Sequence, residues 1–174
     1  MTLGRPSLFR GYAERLRRAP APEAAPAPPL RLEFGRGRSA EPFLADGWED
    51  GAEHGRWTRG CDARLTLRFP ESWIPGDLEL DARMVVGLWP DDPRREVELW
   101  VNGRRQARWH FEGDAPAAAL KRVRLARELL RDRRLALLVH VPRPYAPSAQ
   151  FGHCRVPRAF GVHLGWIRLE PASS

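Results

Sequence analysis

Lysine is almost absent from this chain: of 29 basic residues, Lys121 alone is not an arginine. In a chain also rich in alanine and proline, that imbalance is compositional, so the number of arginines does not by itself mark a basic binding surface. Cysteine is equally scarce. Cys61 and Cys154 are the only two, too few for the disulfide framework of a small secreted domain, and they are expected to be free thiols. The longest apolar run, 135–139, falls far short of the roughly 20 residues of a membrane span. No apolar segment of about 7 to 15 residues follows the early arginines, so no secretory signal is expected and a cytoplasmic location is.

Residues with catalytic chemistry are also few. Serine is scarce, no G-x-S-x-G elbow occurs, and Ser72 and Ser148 fall in proline-containing loops. His153 and Cys154 are adjacent, and adjacent residues of a strand point to opposite faces, which separates a nucleophile from its base. His54, Cys61, His153 and Cys154 show none of the paired spacings of zinc ligands. Glu49, Asp50 and Glu53 read as a solvated acidic loop, and the glycines of 35–38 open no helix, so they read as a turn rather than a phosphate cradle. No catalytic residue, metal or cofactor is therefore expected, and the chain is not expected to be an enzyme.

What is present points to one globular domain with an appendage. A length of 174 residues, with 43% hydrophobic and 29% charged residues, suits a soluble fold. Seventeen prolines and 15 glycines favour many turns and few long helices. The net charge of +7 is uneven: residues 1–40 hold eight arginines against Glu14, Glu23 and Glu33, which leaves +2 for residues 41–174. A nearly balanced folded part argues against a nucleic-acid footprint.

Residues 7–18 read as a short amphipathic helix, with Ser7 as N-cap and Leu8, Tyr12 and Leu16 along one face. Prolines in 19–29 predict an extended spacer. From Leu30 the period becomes two. Ala63, Leu65, Leu67 and Phe69 alternate with polar residues, as do Leu78, Leu80, Ala82, Met84 and Val86, and Val97, Leu99 and Val101. Asn102-Gly103 predicts a two-residue hairpin turn into 106–112, with Ala107, Trp109 and Phe111 facing inward. Strands are also predicted at 30–34, 120–125, 135–141 and 160–169, with one helical turn at 126–131 and bulges hinted by Gly161 and Gly165. The expectation is an all-β protein, a two-sheet antiparallel jelly-roll-like sandwich of about eight strands over 30–171, with 172–174 as a tail.

Seven tryptophans are the most unusual feature. Trp109 belongs to the core pattern, Trp48 and Trp57 flank a glycine-rich loop, Trp73 and Trp89 lie in turns, and Trp100 falls on an outward face. An exposed indole suits a sugar, whose C–H faces stack on aromatic rings while its hydroxyls bond Arg, Asn and carboxylates. The alternative is that tryptophans plug the ends of a small sandwich.

Three landmarks carry a resemblance. Gly47-Trp48, then Gly55-Arg56-Trp57-Thr58-Arg59-Gly60, then Ala63-Arg64-Leu65-Thr66-Leu67 form the first; Val97 to Gly103 forms the second; Pro157-Arg158 with Phe160-Gly161-Val162-His163-Leu164 forms the third. Together they resemble a set of bacterial β-sandwich domains, similar to carbohydrate-binding modules, that are often fused to glycosyltransferases and other polysaccharide-biosynthesis proteins. The resemblance spans 31–170. Ala52 stands where the family has Glu, His54 where it has Trp, and Val156 where it has Asp, so no ligand role carries over to those positions.

The resemblance implies a non-catalytic module that binds a saccharide or glycoconjugate, or assists a polysaccharide-building glycosyltransferase. The candidate ligand residues are Trp48, Trp57, Trp100, Asn102, Arg108 and Arg158. The period-two pattern places Trp100 and Glu98 on one patch with Arg108 or His110 from across the hairpin. The competing expectation is a structural interaction module that docks, or self-associates, through residues 7–18.

Overall fold

The computed structural model describes residues 23–146 and 159–173. The expected helix at 7–18 and the candidate Arg158 lie outside the described residues, as do Ser148, His153 and Cys154. Ten strands lie among the described residues: β1 (Glu23–Ala24), β2 (Leu30–Glu33), β3 (Arg56–Arg59), β4 (Asp62–Arg68), β5 (Leu78–Val86), β6 (Arg94–Val101), β7 (Arg104–Glu112), β8 (Ala117–Leu125), β9 (Arg134–His140) and β10 (Phe160–Pro171). Short 3-10 turns occur at Glu41–Phe43 and Arg127–Leu130, the second where one helical turn was expected.

The strands form two sheets ordered β1-β4-β9-β6-β7 and β2-β10-β5-β8, with β3 also paired to β10. All pairings are antiparallel except the two-residue pairing of β1 with β4. From β4 onward every connection crosses from one sheet to the other except the β6–β7 hairpin, which is the winding of a jelly roll. The eight expected strands are all present. β1 and β3 are additional: β1 lies inside the segment read as a spacer, where Ala25 is already buried, and β3 carries Trp57 out of the loop assigned to it.

Period two is what builds the core. Leu65 and Leu67 of β4 face Leu137 and Leu135 of β9, and Leu99 and Val101 of β6 continue the row. These meet Leu80, Ala82, Met84, Val162, Leu164, Ile167 and Leu169 from the other sheet, all at most 2% exposed. Each such side chain is worth about 1.5–3 kcal/mol once removed from water. Trp109 packs partly buried against this core, on the side the alternation assigns to it.

Lys121, the lone lysine, faces inward on β8, an edge strand, and its amine lies 4.8 Å from the Phe111 ring centroid. An inward charge on an edge discourages another strand from pairing there.

Asn102 and Gly103 take positive φ angles of 48° and 80°, as the hairpin turn requires. The Asn102 side chain is more than a turn former. Its Nδ2 donates to the carbonyls of Leu129 and Arg134 at 2.6 and 2.8 Å, and its Oδ1 accepts from the Ala136 N–H at 2.8 Å. The side chain of this candidate ligand residue is therefore engaged in fastening the β6–β7 hairpin to β9. Asn102→Gly keeps the positive φ but leaves those groups without partners, so thermal unfolding should show a loss of about 1–3 kcal/mol. An unchanged melting temperature would show that the turn alone sets the register.

Candidate functional site

The outward face of the first sheet carries the expected patch. Asp62, His140, Glu98 and Arg108 stand in register across β4, β9, β6 and β7. Glu98 is 5% exposed. One of its oxygens accepts from Arg105 Nη1 at 2.9 Å and from Arg108 Nε and Nη2 at 3.0 and 2.7 Å; the other accepts from Trp100 Nε1 at 2.9 Å. Burial works to raise the Glu98 pKa, but hydrogen bonds from Arg108, Trp100 and Arg105 outweigh it and hold the carboxylate below its ordinary value. Beside it, the Asp62 carboxylate at 2.7 Å raises the His140 pKa against the effect of burial. Indole, carboxylate and guanidinium do converge, as the register predicts. Their polar groups are turned on one another, however, and the Arg105 guanidinium carbon sits 5.9 Å from the Trp100 ring centroid.

Trp48 is not on a surface at all. It is 8% exposed, its Nε1 donates to the Arg64 carbonyl at 2.6 Å, and its ring lies 5.1 Å from Phe34. Gly47 before it has φ +84°, and a Cβ there would lie 1.8 Å from the Asp62 carbonyl oxygen, so the glycine is what lets this segment press onto β4. Of the two roles considered for the tryptophans, the packing of Trp48 is that of an end plug. Trp73 behaves alike, packed 4.4 Å from Phe69. The acidic loop is also partly structural, since Glu49 is buried and accepts from Arg59 at 2.7 and 3.3 Å.

The second sheet presents a different surface. Along β10 the register against β5 shifts between Leu164 and Trp166, leaving Gly165 as the extra residue of a β-bulge. Strict alternation from Val162 and Leu164 places residue 166 in the core. The bulge reverses the phase, so Trp166 turns outward while Ile167 and Leu169 take the inward positions at 2% and 1% exposure. Trp166 thereby joins His163 on the outer face, together with Trp57, whose ring is 5.4 Å from His163 and 6.0 Å from Phe160. Burial pushes the His163 pKa down, which keeps its imidazole neutral at pH 7. A Cβ on Gly55 would lie 2.4 Å from that ring, so this glycine admits the close approach.

Trp166 and His163 border a groove of about 560 Å³. Trp166, His163 and Gly165 come from β10, Arg83 from β5, Arg31 and Glu33 from β2, and Arg38, Glu53 and His54 from the loops that follow β2. Arg31 lies 4.5 Å from the Trp166 ring centroid and ion-pairs Glu33 at 2.6 Å. Toward the other end of the face, Asp81 is 3% exposed and accepts from Arg122 at 2.6 and 3.0 Å and from Arg168 at 2.7 Å. Hydrogen bonding from Arg122, and then from Arg168, lowers its pKa to about 2 against the opposing effect of burial.

The groove was not foreseen from the sequence, although its signal is there: the apolar phase jumps between Leu164 and Ile167, with a glycine at the jump. Of the six candidate ligand residues, the structure joins Trp100 to Arg108, sets Trp57 behind His163 at the groove, and spends Trp48 and Asn102 on the scaffold.

No family model matches the chain, and no curated protein does. Solved structures do resemble it. Dimeric latent PorU from Porphyromonas gingivalis aligns at a TM-score of 0.50 and 11% identity, over 80% of this chain and 12% of that one. At that identity the likeness is one of fold. The CBM36-1 domain of a multidomain xylanase from the hindgut metagenome of Trinervitermes trinervoides aligns at 0.45 and 12%, over 83% of this chain and 98% of that one. The C-terminal CBM6 of LamC from Zobellia galactanivorans aligns at 0.43 and 13%, over 81% and 98%.

Two outcomes follow from this geometry. Trp48→Ala should cost about 3–5 kcal/mol as a core truncation, read by denaturant unfolding, and a near-neutral result would place the ring outside the core. A carboxylate whose pKa is depressed on folding stabilises above its unfolded pKa, near 3.9, and that contribution fades as pH falls through the folded value of about 2. Melting temperature should therefore fall from about pH 4 toward pH 2, and Asp81→Asn should flatten that decline; an unchanged slope would show that Asp81 does not contribute to acid sensitivity.

Proposed function

We propose that this protein is a non-catalytic saccharide-binding module whose ligand lies in the groove of the second sheet. The observation that carries the reading is the half-buried Trp166 indole set in that groove beside polar groups of both kinds. A pyranose ring offers an apolar C–H face to an indole and, at its edge, hydroxyls that both donate and accept. Around Trp166 the groove supplies donors from Arg38 and Arg83, acceptors from Glu33 and Glu53, and the imidazoles of His54 and His163. Its volume falls within the range of about 300–1,000 Å³ usual for small-molecule sites. The Trp100 patch is the weaker platform, because its indole N–H and the Glu98 carboxylate are already engaged with each other.

The test is binding to a glycan array, followed by titration of the oligosaccharides that bind. Stacking on an aromatic ring is worth about 1–3 kcal/mol by alanine substitution, and a sugar face belongs near the lower end. Trp166→Ala should therefore weaken binding at least fivefold, with circular dichroism unchanged, while Trp100→Ala leaves affinity within twofold. Loss with Trp100→Ala and none with Trp166→Ala would move the site to the first sheet.

A further inference from the structure

We infer that the groove selects an acidic saccharide, whose carboxylate is gripped by Arg83 with Arg38 at the rim; this rests on the saccharide reading above. The argument begins with how arginines are used on this face. Arg31 pairs with Glu33, Arg122 and Arg168 share Asp81, and Arg124 pairs with Asp77 at 2.9 Å. Among the described residues, Arg83 is the arginine on the outer face of this sheet that has no carboxylate partner.

Its position gives that freedom a use. Arg83 stands directly opposite Trp166 in the β5–β10 register, and cross-strand neighbours lie about 5 Å apart. A pyranose ring stacked on the indole is about as wide as that spacing, so a substituent on the ring edge facing β5 falls at the Arg83 guanidinium. Gly165 leaves the floor between them open. A Cβ there would be no closer than 3.6 Å to any neighbour, and the Arg83 Cδ would be 3.9 Å away, so the arginine stem runs along the space the missing side chain vacates.

The second guanidinium comes from a braced loop. The Arg38 N–H donates to the Gly35 carbonyl at 3.2 Å, and Glu41, held by Arg56 at 3.1 Å, accepts from the Gly37 N–H at 2.6 Å. These bonds fix the turn and leave the Arg38 side chain unspent. Against the two guanidiniums the groove sets two carboxylates. Glu33 is already neutralised by Arg31, and Glu53 is 81% exposed at the mouth, where solvent screens it. A planar guanidinium matches a carboxylate through two parallel, charge-assisted hydrogen bonds, the contact that separates a uronic acid from its neutral counterpart.

The experiment uses matched pairs: oligomers of galacturonate, of mannuronate and of glucuronate-bearing xylan, each beside its carboxyl-reduced neutral form, with tetraglutamate as an acidic peptide. Calorimetric titration of the full chain at low and high salt should show at least one acidic oligomer binding tenfold or more tighter than its reduced form. That margin should shrink with salt, and tetraglutamate should not bind. Arg83→Gln should abolish the preference, bringing the two forms of each pair to equal affinity, whereas Trp166→Ala should weaken both forms and leave their ratio in place. Equal affinity within every pair, a preference that survives in the Arg83→Gln and Arg38→Gln double variant, or equally tight binding of tetraglutamate would overturn the acidic-saccharide inference. If neutral oligomers bind in a Trp166-dependent way, saccharide binding itself stands. Absence of binding to every acidic and neutral oligomer would overturn both.

Discussion

The outer face of the second sheet depends on one extra residue in β10. That strand sits inside the second sheet, with β5 along one edge and β2 and β3 end to end along the other. A strand locked on both sides has no freedom to slide, so a single inserted residue must be absorbed where it occurs. Gly165 absorbs it and reverses the phase for everything that follows. Were the alternation unbroken, Trp166 would be driven into a core already filled by Met84 and Leu80, and Ile167 and Leu169 would face water. The bulge therefore satisfies the core and exposes the indole in one step. The Gly165 carbonyl, turned out of the β5 ladder, accepts from the Phe34 N–H at 3.0 Å and so ties the bulge to the end of β2.

The arginine-rich composition imposes a second constraint. With 28 arginines, many outward strand positions carry a cation, and like charges side by side on a sheet are destabilising. The structure answers with shared carboxylates. Asp81 serves Arg122 and Arg168, Glu98 serves Arg105 and Arg108, and Glu41 receives both Arg56 and a backbone N–H. Asp81 and Glu98 are buried beneath the long arginine stems, where their bonds are less open to competing water than those of an exposed pair. A guanidinium outside this scheme is therefore informative where it lines a groove.

How far the sequence was legible follows from the same physics. Alternation located β4, β5, β6 and β7, and Asn102-Gly103 located the hairpin, because both signals are local. Trp100 and Trp109 were assigned to opposite faces of neighbouring strands, and they lie there: the one-residue shift at Gln106 is confined to the turn end of the hairpin, and from Ala107 onward Trp109 pairs with Val97 and Arg108 with Glu98 in regular register. What local pattern does not reveal is which polar atoms are already engaged. Asn102 looks like a ligand residue until Leu129, Arg134 and Ala136 arrive from more than 25 positions away. Trp48 looks exposed in a glycine-rich loop until Gly47 lets the backbone press onto Asp62. β1 is invisible because two residues carry no period, and its partner β4 is more than 40 positions distant.

The two tryptophan surfaces show why convergence of suitable residue types is not enough to make a site. At Trp100 the indole N–H, the carboxylate and both guanidiniums form a closed set, so a ligand that bonds any one of them must first break a bond already made in a partly buried setting. The gain from each new hydrogen bond, about 0.5–1.5 kcal/mol net, is then offset by the one it replaces. At Trp166 the ion pair of Arg31 and Glu33 closes one flank in the same manner, but Arg83 across the strand remains open. There an incoming carboxylate has no ion pair to break, which is the difference between a surface whose charges are already matched to one another and one that presents an unmatched charge.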